Sequence, residues 1–173
     1  MCLPQVVMIE FEINDDSLVQ LSDSIDASGI DKYIYRSTSV TEWPTMQSLI
    51  DADTRLILFA HGDGMESCRT MACPEGIFYT FDHFQQTNWN DDTCNIKGNA
   101  PRQGTGFFLM NHWMNDESTD LPSPSNAKQF NSYGALTTRI DQCEGGVPNV
   151  IAVDFWDVGD VLAVVREINT NKG

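Results

Sequence analysis

The chain has 173 residues, 41% of them hydrophobic, which suits one ordinary domain with a real core and excludes a disordered segment. Its 25 acidic residues against 10 basic ones give a formal net charge of −15, so a nucleic-acid surface or a polybasic membrane patch is excluded: phosphates would be repelled. No stretch approaches the roughly 18 apolar residues that a membrane span needs.

The first residues, MCLPQVV, lack the charged start and apolar centre of a signal peptide. Residues 6–12 (VVMIEFE) then form the first apolar run. Runs rich in Val, Ile, Leu and Phe with little alternation suit strands buried on both faces, the habit of parallel sheets covered by helices. Asp15, Asp16 and Ser17 offer caps for a helix over 17–28, where Leu18, Leu21 and Ile25 recur at spacings of three and four before Gly29. Residues 33–35 read as a short strand. Thr41 is expected to cap a second helix with Pro44 in its first turn and Met46, Leu49 and Ile50 on one face.

The run LILFAH predicts a strand over 56–61, followed by a long polar stretch, 62–106, whose aromatic segment 77–84 is a strand or a buried loop anchor. FFLMNH predicts a strand over 107–112. A Ser/Pro-rich crossing at 121–125 leads to one helix over 127–143 with Tyr133, Leu136 and Ile140 inward, ended by Gly145-Gly146. VIAVDF predicts the last strand, 150–155, and Val158, Val161, Leu162, Val165 and Ile168 form the stripe of a closing helix. Strands alternating with helices mean α/β.

A parallel sheet carries its chemistry at the carboxyl ends of its strands. Glu12, His61, Asn111, His112, Asp154 and Trp156 all fall at such ends. Neighbours on a strand face opposite ways, so only one of Asn111 and His112 can enter a shared pocket. Asp154 and Trp156 share a face and suit a sugar-like ring, the carboxylate accepting from hydroxyls while the indole packs on carbon. The five cysteines, Cys2, Cys68, Cys73, Cys94 and Cys143, leave disulfides or free thiols open; without a CxxC pair they make a poor zinc site.

Taken together, VVMIEFE, WPTMQSLIDADTRLILF (43–59), GFFLMNHW (106–113) and PNVIAVDFWDVGD (148–160) resemble the phosphatidylinositol-specific phospholipase C X-domain-like phosphodiesterases. The likeness is closest to the secreted, bacterial-like branch of plants and fungi. It implies a TIM-type β/α barrel, with residues 1–173 as a single partial domain running from about the fourth strand to the eighth. It also implies a phosphoric diester hydrolase acting on a phospholipid or an inositol or glycerol phosphodiester headgroup, in the secretory pathway or outside the cell.

In the family one histidine takes the proton from the inositol 2-hydroxyl and another protonates the leaving alkoxide. Those strands precede anything in this sequence, so no residue here is assigned a catalytic role and the chain alone is expected to be inactive. The resemblance places Glu12 where calcium-dependent relatives carry a metal-binding glutamate. Calcium needs six to eight oxygens, so the ion is expected only in a complete barrel, and otherwise no cofactor. His61, Asn111, His112, Asp154 and Trp156 are the candidate substrate-binding residues. The alternative is a noncatalytic remnant that binds a headgroup or sugar phosphate, or packs with a partner. A cut barrel leaves unpaired edges, so self-association, or completion by the missing N-terminal half, is expected.

Overall fold

A computed structural model describes residues 5–14, 17–37, 42–62, 74–97, 106–143 and 146–171. The chain is α/β and divides into two compact units, the first holding the described residues up to His83 and the second those from Phe84 onward.

In the first unit, β1 (Val7–Glu12), β2 (Leu56–His61) and β3 (Ile77–Tyr79) form an all-parallel sheet in the order β1-β2-β3. Glu12 stands opposite His61 in its register. Helix α1 (Ser17–Ser28) covers one face: Ile25 packs with Ile13, Leu58, Ala60 and Ile77, and Leu18, Leu21, Ile9 and Phe11 pack around that cluster. The alternation of a strand sends Phe59 and Phe78 to the other face, where they gather an aromatic cluster with Trp43 and His83. The Trp43 ring lies 5.4 Å from Phe78 and 5.3 Å from His83.

Helix α2 (Met46–Asp51) starts later than its sequence reading. Thr45, just past Pro44, caps it by accepting from the Ser48 amide at 3.1 Å, so Met46 is exposed and Leu49 takes the buried position. Thr41, Asp15 and Asp16 lie outside the described residues. Residues 31–33 form a 3-10 turn rather than the start of a strand, and Ile34 makes one parallel bridge to Leu56. The aromatic segment 77–84 resolves into β3, a helical turn α3 (Thr80–His83) and the first residue of the next strand.

The second unit is a four-stranded sheet, order β5-β4-β6-β7, of β4 (Phe84–Thr87), β5 (Ile96–Lys97), β6 (Phe107–Asn111) and β7 (Val150–Ala152). Strands β4, β6 and β7 are parallel and β5 runs against β4. Phe108 and Met110 meet Leu136, Ile140, Val161 and Val164 from the covering helices, and Cys94 is bonded to Cys143 beside that core.

The helix expected over 127–143 is two helices, α4 (Pro124–Phe130) and α5 (Tyr133–Gln142). The backbone leaves the helical path at Ser132, whose ψ is 150°, while the Asn131 amide N–H still bonds to the Ala127 carbonyl. The Asn131 side-chain amide donates to the carbonyls of Asp154, Phe155 and Val158, at 2.9, 3.3 and 3.1 Å. The break turns Tyr133 outward, contrary to its inward reading, so that its hydroxyl donates to Glu167. Strand β7 ends at Ala152, and helix α6 (Val161–Asn171) buries Val161 and Val164 while Leu162 faces solvent. Each sheet is open, and no closed barrel is seen among the described residues.

Candidate functional site

In the first unit the carboxyl ends of β1 and β2 bring Glu10, Glu12 and His61 to one face, because residues two apart on a strand point the same way and Glu12 pairs with His61. His61 Nδ1 lies 3.1 Å from Glu10 Oε1. That hydrogen bond raises the imidazole's pKa above its ordinary value; burial opposes the rise, and the charges of Glu10 and Glu12 add to it. Glu10 was absent from the sequence reading, although VVMIEFE carries it at the spacing that puts it beside Glu12. After His61 the chain turns at Gly62, whose φ of 130° and close approach to Ile13 exclude a side chain: a Cβ there would lie 1.8 Å from the Ile13 carbonyl oxygen.

Glu12 is exposed. Among the described residues no group of three or more His, Cys, Asp or Glu side chains is arranged to hold a metal ion. Glu10 and Glu12 alone fall short of the six to eight oxygens of a calcium shell. The third histidine, His83, sits in the aromatic cluster, where desolvation lowers its pKa against the opposing charge of Asp82.

In the second unit the end of β6 sends its two polar residues apart. Asn111 lies on the face away from α5 and α6, its amide donating to the Thr87 carbonyl at 2.7 Å and to Gln86 Oε1 at 3.2 Å. His112 turns to the helix side and is 1% exposed. Its Nε2 lies 2.8 Å from the Phe130 carbonyl, and its Nδ1 3.2 Å from a guanidinium nitrogen of Arg139. A guanidinium only donates, so Nδ1 accepts, Nε2 carries the proton and the ring is neutral. Burial, chiefly, and the Arg139 charge hold its pKa low, while the Phe130 carbonyl pulls the other way.

Arg139, 3% exposed, reaches the loop after β4 as well, donating to the Thr93 carbonyl at 3.0 Å. A cleft of about 390 Å³ opens here, with Asp92, His112, Phe130, Ala135 and Arg139 among its walls.

Asp154 and Trp156 follow β7 on a loop fixed by Asn131. Phe155 between them has a φ of 51°, an unusual conformation for an aromatic residue that the Asn131 bonds to its flanking carbonyls help to hold. Asp154 Oδ2 is buried without a hydrogen-bond partner among the described residues, and desolvation raises the carboxyl's pKa. Trp156 is 65% exposed. The structure thus groups His61 with Glu12 in one unit. In the other, Asn111 and His112 part to opposite faces at the end of β6, and Asp154 and Trp156 follow the neighbouring strand β7.

The family described as PI-PLC X 1 matches residues 4–169. A PI-PLC X domain-containing protein 1 from Arthroderma benhamiae is 28% identical over 181 aligned positions, covering 96% of this chain. The chain spans 59% of the length of that relative. No solved structure matches it. With nearly its whole length matched, the chain belongs to the PI-PLC X family.

Proposed function

We propose that this chain is the later part of a β/α-barrel phosphoric diester hydrolase, a single partial domain whose intact form cleaves a phospholipid or related phosphodiester by general acid/base catalysis. The observation that carries the reading is the family match over residues 4–169. On this reading His61 in the first unit and Asn111, Asp154 and Trp156 in the second are the candidate headgroup-binding residues, and Glu12 is the carboxylate offered to a calcium ion that further ligands would complete. His112 contributes by fixing Arg139 and the end of β6, since both its ring nitrogens are engaged within the protein. The Cys94–Cys143 bond is of the kind that forms in oxidising compartments and supports an extracellular setting.

A second reading, a noncatalytic module that binds a headgroup or packs with a partner, is favoured by the histidines. Among the described residues no hydrogen bond joins two of them, and each is committed elsewhere: His61 to Glu10, His83 to aromatic rings, His112 to Phe130 and Arg139. An acid/base pair needs two imidazoles reaching one phosphate.

The test is release of inositol phosphate from phosphatidylinositol, with and without calcium, by the chain alone and by the chain joined to the coding sequence upstream of it. Turnover only by the longer protein supports the hydrolase reading, and binding without turnover by either supports the second. Turnover by the chain alone that His61→Ala or His112→Ala abolishes overturns the assignment of the acid/base pair to other strands.

A further inference from the structure

We propose that the cleft beside Arg139 binds a free α-amino acid with a medium-sized apolar side chain, at a site independent of the hydrolase reading. The cleft, of about 390 Å³, opens between the loop after β4, the end of α4 and α5. None of His61, Asn111, Asp154 and Trp156 is among its walls.

The first observation is a buried charge without a counter-ion. Arg139 is 3% exposed, and its guanidinium donates only to neutral acceptors: His112 Nδ1, the Thr87 hydroxyl and the carbonyls of Asn88 and Thr93. Its Nε is buried with no hydrogen-bond partner, and among the described residues no carboxylate pairs with it. A guanidinium left unpaired in a poorly solvated place is unfavourable, and a carboxylate in the adjoining cleft offsets that charge at short range.

The second observation is a carboxylate on the same cleft. Asp92 is exposed there. Burial holds the Arg139 pKa down, and the charges of Asp91 and Asp92 oppose this from beyond ion-pair distance. The cleft thus carries one positive and one negative group, held apart, with no net charge between them.

That pairing selects the ligand. A chain of net charge −15 repels a free anion, so a carboxylate reaches Arg139 most readily on a molecule that also offers an ammonium to Asp92. An α-amino acid carries both on one carbon. Phe130 and Ala135 give its side chain an apolar wall, and the cleft volume is at the small end of the range for small-molecule sites.

The test is calorimetric titration of the full chain with L-leucine, with the His112 imidazole followed by NMR as a reporter in the cleft wall. We expect saturable binding with a Kd of about 1 mM or tighter, and a shift of the His112 ring. 4-Methylpentanoate, which lacks the ammonium, and 3-methylbutylamine, which lacks the carboxylate, should each bind roughly tenfold more weakly. Asp92→Asn should weaken leucine binding by a similar factor, whereas Asp141→Asn, at an exposed carboxylate of α5 outside the cleft, should leave it unchanged. Gly134→Leu should abolish binding without lowering the Tm, because Gly134 lines the cleft and a Cβ there meets no atom within 4 Å.

Absence of leucine binding, equal binding of either single-armed analogue, an equal loss in Asp141→Asn, or full binding in Gly134→Leu overturns the proposal. Displacement of leucine by an equal concentration of inorganic phosphate overturns it too, reassigning the cleft to an anion. The hydrolase reading is decided separately, by product release from phosphatidylinositol.

Discussion

Arg139 donates a hydrogen bond to Nδ1 of His112 across 3.2 Å, at the far side of an imidazole whose Nε2 is 2.8 Å from the Phe130 carbonyl. One buried ring thereby ties α5 and the end of α4 to β6. Protonating it would set a second proton against the guanidinium.

The folded pKa of His112 lies below its ordinary 6.5, so the unfolded chain binds more protons as pH falls past that value. Its contribution to stability is full above about pH 6.5 and is lost as pH falls through the folded value. His83 acts with the same sign, and His61, whose pKa is raised, with the opposite one. The urea midpoint should therefore fall between about pH 7 and about pH 5, and fall less in His112→Gln, which keeps an acceptor and a donor but does not titrate. Equal falls in the two proteins would refute this account. Arg139→Ala should cost roughly 3 kcal/mol at neutral pH by orphaning the His112 nitrogen and the Thr93 carbonyl.

Glu10 sets the protonation of His61. In Glu10→Gln the carboxylate charge goes while an amide oxygen that can still accept remains, so the His61 titration midpoint, read by NMR of the imidazole, should move down. The pair's contribution to stability is present at low pH and lost as pH rises through the raised folded value. Both side chains are about a third exposed, so the global effect should stay below about 1 kcal/mol. An unmoved midpoint would show that Glu10 does not hold the ring in solution.

The Cys94–Cys143 bond closes a loop of 49 residues. The chain-entropy relation gives roughly 4 kcal/mol for a closure of that length. The paired variant Cys94→Ser with Cys143→Ser, or reduction, should lower the Tm of the second unit by several degrees in calorimetry. No change would mean that native strain cancels the entropic gain.

Asn131 positions the loop that carries Asp154 and Trp156. Asn131→Ala removes three donated hydrogen bonds and should cost about 2–3 kcal/mol, with the 153–159 amides losing hydrogen-exchange protection first. Gly159→Ala should act alike: a Cβ there would lie 2.5 Å from the Asn131 carbonyl oxygen, at a φ of 88°. Unchanged protection in both variants would remove Asn131 from this role.

Much of this architecture is legible in the sequence. LILFAH and FFLMNH mark strands because sustained apolar runs of that length bury on both faces, and the 17–28 spacing marks a helix for the same energetic reason. Less legible were the helix boundaries near 41–46 and 131–132, because a cap is chosen by whichever side chain finds an amide or carbonyl, and at Asn131 those carbonyls lie more than twenty residues away. Leu162 and Tyr133 looked inward because periodicity gives the width of an apolar stripe but not where along it a neighbour ends.

The α/β alternation, the strand cores and the set of polar residues at strand ends follow from local spacing and burial energy alone. Long-range packing sets the rest: which faces of the chain past β6 Asn111 and His112 take, that Glu10 claims His61, that Arg139 completes His112 and that Cys94 meets Cys143. Period-two alternation says that neighbours face opposite ways, but which face a helix covers is fixed by contacts between segments distant in the chain.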